Sequence, residues 1–503
     1  MIDITTILSA KEKVNIEAKL ASGGIPNSIW DTYSSFANTI GGTILLGVEE
    51  DKTTKELIPR GVTDPEQMIS DIWNTLNNPQ KISRNILLDN HVYMVDYNGA
   101  KIIVMEIPRA ERTDKPIYVG TDLFKGSFRR NHEGDYHCTR DEVLAMLRDQ
   151  TAESVDNKVL ENLSLSDLNR ESISRYRIMF QNKKPNHAWV RLRDDEFLLK
   201  IGAAKKGSDA KVHPTFAGLL FFGDFITIMD EAPNYFLDYR ERFSSDTRWS
   251  DRVCSGDGDW SGNIFDFYFK VIDRLTADVK KPFKLDEKLT RVDDTPIHGA
   301  LREALANALI HADYYGRCGV VIDKEFRKVQ ISNPGTFRIS IDAAIAGGIS
   351  DARNSRIFNM FSLIDVGERS GSGLCDLFQI WQDSGFAPPV ISESMNPDRV
   401  TLTLQIGNNE GNLDGNEGNP DGNEGNPDGN EGNLDGNEGN SDINATALKI
   451  LDAINKNPSI TAASIATLMG LSKATIERYQ KKLKDAGYIK REGSTHGKWV
   501  ILK

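Results

Sequence analysis

Between residues 407 and 440 the chain repeats GNEGNPD or GNEGNLD every seven residues, and no folded core can be drawn through that stretch. A heptad period suggests a coiled coil, but Gly and Asn stand where apolar residues would have to form the seam. Gly, Asn and acidic side chains bury too little apolar surface to offset the entropy of ordering the chain, so the segment reads as a flexible spacer. A calcium-binding β-roll would need a regular large apolar residue, which the repeat lacks. The chain is therefore at least two folded parts on one tether. As a random coil, 34 residues would have an r.m.s. reach of about 30–35 Å.

The spacer also changes the meaning of the net charge, −12 over 503 residues. Residues 407–440 carry −9, with no Lys or Arg, whereas residues 443–503 carry +7. An acidic total thus hides a basic C-terminal segment. The length exceeds what one hydrophobic core usually fills. The four cysteines (Cys138, Cys254, Cys318 and Cys375) stand far apart, which excludes a disulfide framework and fits a reducing cytoplasm. No apolar run is long enough to span a bilayer, and MIDITTILSAKEK contains no apolar signal core. A cytoplasmic chain with no membrane partner is expected.

Residues 443–503 read as three helices and a wing. Leu448, Leu451 and Ile454 have helical spacing; ITAASIATLMG forms a second helix; a third, capped by Ser472, turns Ile476, Tyr479 and Leu483 inward. YIKREGSTHGKWVIL then gives two short strands around Gly493 to Gly497. This is the winged helix-turn-helix pattern. Thr475, Arg478 and Lys482 share the outward face of the third helix, flanked by Lys473 and Lys481, while Lys490, Arg491 and Lys498 lie on the wing. Such cations suit phosphate contacts and an exposed helix suits major-groove reading, so DNA is the expected partner. A solvated basic surface on a protein-binding module is the alternative.

At the other end, VNIEAKL alternates, with Val14, Ile16, Ala18 and Leu20 on one face and Asn15, Glu17 and Lys19 on the other, as in a half-buried strand. A helix with Ile29, Tyr33, Phe36 and Ile40 inward follows, then Gly41-Gly42 and the apolar strand TILLGV, which ends at Glu49, Glu50 and Asp51. EKVNIEAKL followed by SFANTIGGTILLGVEED resembles the AlbA-like nucleic-acid-binding domain of Schlafen proteins and many bacterial regulators. In Schlafen nucleases three carboxylates hold a divalent metal and cleave RNA; the resemblance places them at Glu12, Glu17 and Glu50, the last a Glu where the family often has Asp. Converging carboxylates can bind Mg²⁺ or Mn²⁺, and Lys19 would stabilise a developing phosphorane. Ordinary solvated charges on a strand face are the alternative. Downstream, LFKGSFRRNHEGDYH mixes Lys125, Arg129, Arg130 and His132 with Phe128 and Tyr136, which suits single-stranded DNA or RNA, or equally a plain hairpin with a basic tip.

The middle of the chain is less informative. HPTFAGLLFFGDF reads as an apolar strand and SGNIFDFYFKVIDRL as an apolar-faced helix. From about 291 the pattern sharpens. In HGALREALANALIHADY, Glu303, Asn307 and His311 recur every four residues and stack on one side of a helix, with Leu301, Leu305 and Leu309 on another. VQISNPG places Asn333-Pro334-Gly335 at a turn, and VGERSGSGL puts Gly367, Gly371 and Gly373 just before a helix, where backbone N–H groups can approach phosphate. These three motifs in order resemble the GHKL ATPase domain in the divergent form often fused to AlbA-like domains. The resemblance implies ATP and Mg²⁺ as ligands: Glu303 as base for water, Asn307 on Mg²⁺, His311 on the same stripe, Asn333 and Gly335 by the adenine, and Gly367, Gly371 and Gly373 by the phosphates. GHKL domains typically place Asp where Asn333 stands, so recognition of the adenine amine would be weaker.

The expected fold class is multidomain α+β: an AlbA-like α/β domain over 1–150, a connecting subdomain over 151–290, a GHKL (Bergerat-type) α/β sandwich over 291–406, a spacer over 407–442 and a winged helix-turn-helix over 443–503. The expected function is a nucleotide-responsive, DNA-binding transcriptional regulator, as a homodimer by the GHKL resemblance. The alternative is a nucleotide-gated, metal-dependent Schlafen-type endonuclease acting on RNA or single-stranded DNA in stress response or phage defence. ATP-driven remodelling without nucleic acid rests on the GHKL resemblance alone.

Overall fold

The computed structural model describes residues 15–406, apart from 52, 244–247, 278, 280–294, 368–372 and 396, together with parts of 454–501. Contacts divide the chain into two units, 1–413 and 414–503. No described helix is long and apolar enough to cross a membrane.

The larger unit opens with Ile16–Lys19 (β1), Ser28–Asn38 (α1) and Gly42–Leu46 (β2), and β1 pairs parallel to β2 with Glu17 opposite Ile44. After the hairpin of Val48–Glu50 (β3) and Leu57–Pro59 (β4) come Pro65–Leu76 (α2), Val92–Tyr97 (β5) and Ala100–Ile107 (β6). The sheet order is β1-β2-β6-β5. Alternation along the strands divides the core between its faces: Ile44, Leu46, Ile103 and Met105 meet α1 and α2, while Leu45, Ile102 and Val104 meet Ile16, Ala18 and Leu57. Ile29, Tyr33 and Phe36 are buried on α1 as expected, but Ile40 is exposed, because the helix ends at Asn38 and the chain turns there. Gly41 makes that turn at φ +77°, where a Cβ would meet the Ile107 carbonyl at 2.8 Å. The hairpin of Phe128–Asn131 (β7) and Gly134–His137 (β8) follows, then Arg140–Gln150 (α3), whose Thr139–Glu142 capping box satisfies its first turn.

Next come Arg170–Lys183 (α4), Asp194–Ile201 (α5), the short hairpin of Ala204–Lys206 (β9) and Val212–Pro214 (β10), Phe216–Phe222 (α6) and Phe225–Glu231 (α7). The segment expected as an apolar strand is thus mostly helix. Every residue of α6 is buried, so no polar face betrays the period, and the Thr215 hydroxyl caps it by accepting from the Gly218 N–H. Leu237–Arg242 (β11) and Asp251–Cys254 (β12) precede Ile264–Thr276 (α8), the expected apolar-faced helix, capped by Asn263.

The remaining elements of this unit are Pro296–His311 (α9), Val320–Glu325 (β13), Lys328–Pro334 (β14), Ile341–Ala346 (α10), Ser355–Leu363 (α11), Gly373–Asp383 (α12), Val390–Ser394 (β15) and Arg399–Gln405 (β16). They complete a six-stranded sheet of order β12-β11-β13-β14-β16-β15, antiparallel except for β11 with β13. Two strands of this sheet come from before α8. One hydrophobic core, running from Leu160 to Leu404, packs α6 and α8 together with α9, α11 and α12.

In the smaller unit, Ala462–Met469 (α13) is started by the Thr461 hydroxyl, which accepts from the Ser464 N–H at 3.1 Å. Ile489–Glu492 (β17) and Lys498–Ile501 (β18) form the antiparallel wing. Ile454, Ile465, Ile476, Leu483 and Ile489 make its core, so the inward positions read from spacing at 476 and 483 are buried. Tyr479, the spacer and the helix caps expected at 470–472 lie outside the described residues.

Candidate nucleotide pocket and nucleic-acid surfaces

Helix α9 begins with Thr295 as its cap and Pro296 in its first turn, where a missing N–H costs nothing. Its Leu301, Leu305 and Leu309 enter the core, and the Glu303–Asn307–His311 stripe faces a cavity. The floor and walls of that cavity are Ala304 and Ala308 of α9, Ile331 and Asn333 of β14, and Val400 and Leu402 of β16. Thr336 to Ile339, Asp351, Phe358 and Gly373 also line it. Mostly apolar walls with a few convergent polar groups are the chemistry of a small-molecule site.

Within it, the Asn307 side-chain amide donates to Glu303 Oε1 at 3.2 Å. That turns the Asn307 carbonyl oxygen away as a hard donor suited to a divalent cation. A Cβ on Gly373 would lie 2.5 Å from Glu303 Oε1, so only glycine leaves room for the carboxylate there. These features fit a nucleotide with Mg²⁺: Asn307 would hold the metal, and the metal would neutralise phosphate charge. Burial and the neighbouring Arg353 and Arg338 guanidinium groups push the His311 imidazole down to about 4, against the pull of Asp351. It is therefore neutral near pH 7. Asn333 is buried and donates to the Pro334 carbonyl at 3.3 Å.

Five of the residues expected at a nucleotide site thus line one cavity: Glu303, Asn307, His311, Asn333 and Gly373. Gly367 stands beside them, its Cβ position 3.9 Å from Glu303 Oε2. Gly335, at φ +101°, is packed behind the wall, where a Cβ would fall 2.4 Å from Arg353 Nη1, so it shapes the turn and does not line the cavity. Gly371 lies outside the described residues. Sequence reasoning missed Arg338, Asp351 and Arg353. Their only signal was charge in a short stretch after the Asn-Pro-Gly turn.

The N-terminal charges are arranged otherwise than expected. Glu17 is buried, with Oε1 2.6 Å from Lys19 and Oε2 2.9 Å from the Arg130 guanidinium. Arg130 also pairs with Asp135 at 3.0 Å and lies over the Phe36 ring, and Asp135 accepts from the Thr32 hydroxyl. The strand face carrying Glu17 is therefore covered by α1 and the β7–β8 hairpin. Arg130, with a side chain 1 % exposed, is a core cation and cannot serve as a surface contact. Arg129 is likewise turned inward, 3.1 Å from Glu142, and Phe128 is buried against His137. Of the expected contacts in this segment, Lys125, His132 and Tyr136 are exposed. Glu50 pairs with Lys55 at 3.0 Å. Among the described residues no three His, Cys, Asp or Glu side chains converge on a metal position; Glu12 lies outside those residues.

On the smaller unit, Lys481 and Lys490 are exposed, Arg491 and Lys498 lie in β17 and β18, and Lys473, Thr475, Arg478 and Lys482 lie outside the described residues.

Comparison with known proteins places a family on each of these regions. Residues 9–139 match the Schlafen AlbA_2 family, 326–404 match HATPase_c_4, described as "Putative ATP-dependent DNA helicase recG C-terminal", and 443–490 match the winged helix-turn-helix DNA-binding family HTH_24. Residues 144–238 match a domain of unknown function, DUF8451. The chain is thus a multidomain protein with a Schlafen-type AlbA_2 domain, a RecG-like HATPase_c_4 domain and a C-terminal winged helix-turn-helix. No curated protein matches it. Among solved structures, a protein from Corynebacterium diphtheriae is 17 % identical over 99 % of this chain and 96 % of its own, with a TM-score of 0.40. The N-terminal domain of a RecG-related protein from Nitrosomonas europaea is 28 % identical over 28 % of this chain and 95 % of its own, with a TM-score of 0.23.

Proposed function

We propose that the protein is a nucleotide-binding regulator of GHKL type that acts on DNA through its winged helix. The observation that carries the nucleotide reading is the convergence of Glu303, Asn307, Asn333 and Gly373 on one cavity, whose strands β14 and β16 lie within the 326–404 match to the HATPase_c_4 family. In this reading the apolar walls formed by Ile331, Val400 and Leu402 take the base, and the neutral His311 does not repel a bound cation. Glu303, its carboxylate held by the Asn307 amide, would take the proton from a water attacking the terminal phosphorus of ATP, with ADP as the leaving group. With Asn333 in place of a carboxylate, an amide is the group that meets the base edge, and an amide can both donate and accept.

The DNA reading rests on the HTH_24 match and on the +7 charge of residues 443–503. Calorimetry with ATP and Mg²⁺ tests the pocket: Asn307→Ala should abolish metal-dependent affinity, and unchanged affinity would refute the site. DNA affinity should fall steeply with salt, and charge reversal at Arg478 and Lys482 should weaken it across sequences. If those reversals do nothing, the module docks protein instead. Incubation with tRNA, single-stranded DNA and duplex DNA, with Mn²⁺ and with or without ATP, separates the regulator from a nuclease, which would cleave.

A further inference from the structure

One side of the nucleotide cavity, at Thr336–Arg338 and Asp351, is held in part by residues 109–149. Asp149, near the end of α3, takes Arg353 in a two-pronged contact, Nε to Oδ1 at 2.9 Å and Nη2 to Oδ2 at 2.6 Å. Arg353 in turn donates to the His311 carbonyl at 2.6 Å and the Thr336 carbonyl at 3.0 Å. One guanidinium therefore joins the end of the Glu303–Asn307 helix, the turn after Asn333 and the last turn of α3. The backbone carbonyl of Asp149 accepts from both Arg112, at 2.7 Å, and Arg338, at 3.1 Å. Arg112 also pairs directly with Asp351, which lines the cavity.

A second link lies beside it. Arg109, at the end of the first sheet, donates to the Phe337 carbonyl at 2.8 Å and pairs with Glu393, which itself accepts from the Phe337 N–H at 2.6 Å. The stretch from Thr336 to Arg338 thus has backbone groups bonded to both sides of the junction. Arg353 and Arg338 have side chains only 7 % exposed, so these bonds act in a low dielectric, where their geometry is strongly specified.

We propose that Asp149 and Arg112 are positioning residues of the nucleotide pocket, so that nucleotide occupancy is coupled to the Schlafen-type domain through the Arg112–Asp351 contact and to α3, which follows that domain, through the Asp149–Arg353 contact. The inference rests on the nucleotide reading above. A ligand that tightens the wall at Thr336–Arg338 and Asp351 must also bias the segments at 109–112 and 140–150, because the same bonds hold both. Coupling is reciprocal: whatever binds the N-terminal domain and orders those segments changes nucleotide affinity by the same factor.

The test is hydrogen exchange on the full chain with and without ATP and Mg²⁺, with calorimetry on the same sample. Peptides covering 109–115 and 140–151 should gain protection when nucleotide binds. Arg112→Gln, at a partly exposed position, should lower nucleotide affinity about tenfold while the protein still folds, with only a modest drop in melting temperature. Asp149→Asn leaves the buried Arg353 guanidinium without its carboxylate and should lower both affinity and melting temperature, and Asp149→Glu, which keeps the charge, should restore part of both. If Asp149→Asn fails to fold, the wild-type exchange and Arg112→Gln decide the matter. Nucleotide binding with unchanged protection in both segments, or unchanged affinity in Arg112→Gln, would overturn the coupling and leave the nucleotide reading standing. No heat of binding in the wild type would remove both.

Discussion

The glycine at the head of α12 offers a way to displace the proposed base without touching the fold. Gly373→Ala places a methyl group 2.5 Å from Glu303 Oε1. Ordinary contact begins at 3.4 Å, so the carboxylate must retreat by about 0.9 Å. It is the far end of a flexible side chain, so the retreat is cheap in stability. Alanine is also the better helix residue, by up to about 1 kcal/mol, so the melting temperature should hold or rise slightly. The retreat moves Oε1 from the position where it accepts from Asn307, and a misplacement near 1 Å costs a positioned reaction on the order of 100-fold. Gly367→Ala is the control. It forces a side chain into φ +73°, costing roughly 1–2 kcal/mol, yet its methyl stays 3.9 Å from Glu303 Oε2. Phosphate release, calorimetric affinity for ATP and Mg²⁺, and thermal melting should therefore separate the two variants. Gly373→Ala should be stable and slow with ATP affinity kept, and Gly367→Ala should be the less stable of the two. A Gly373→Ala protein that hydrolyses at the wild-type rate would refute the assignment of Glu303.

Other outcomes follow from the buried charges. Arg130→Ala leaves Glu17 with Lys19 alone and Asp135 with the Thr32 hydroxyl, and should destabilise the larger unit by up to about 3–5 kcal/mol in urea titration, whereas Lys125→Ala should leave it within error. For the same reason, loss of a nucleic-acid activity in Glu17→Ala must be read beside its stability, and Glu50→Gln is the cleaner probe of a carboxylate role. His311 is held neutral down to about 4, while the unfolded chain protonates it near 6.5. The unfolded state therefore binds more protons between those values, so stability is full above about 6.5 and falls as pH drops toward 4. From pH 7 to 5 the loss should be at most about 2 kcal/mol, and His311→Gln should flatten that limb.

The pocket was legible because helical geometry converts spacing into proximity. Residues four apart on α9 share a face whatever surrounds them, so Glu303, Asn307 and His311 could be grouped before any contact was known. The strand at Glu17 was legible as a strand but not as a buried one. Alternation says which residues share a face and is silent on what covers it, and the cover here comes from Arg130, 113 residues away. The Arg353–Asp149 contact spans 204 residues and leaves no local trace at all. At 216–222 the apolar run was long enough to see and too uniformly buried to carry a period, so strand and helix could not be told apart.

The origin of β11 and β12 limits how the HATPase_c_4 region can be cut from its neighbours. A fragment starting at 291 would contain α9 and every residue of the cavity, but the backbone of Val320–Glu325 would lose its parallel partner Leu237–Arg242 and become an open edge. The same cut would strip α6 and α8 from a shared core and leave Leu301, Leu305 and Leu309 facing water on one side. Such a fragment should associate or aggregate when expressed alone, while one beginning near 151 keeps the six strands and their cover. In this chain, the stretch that carries the nucleotide motifs and the stretch that can be inherited as a folding unit are not the same.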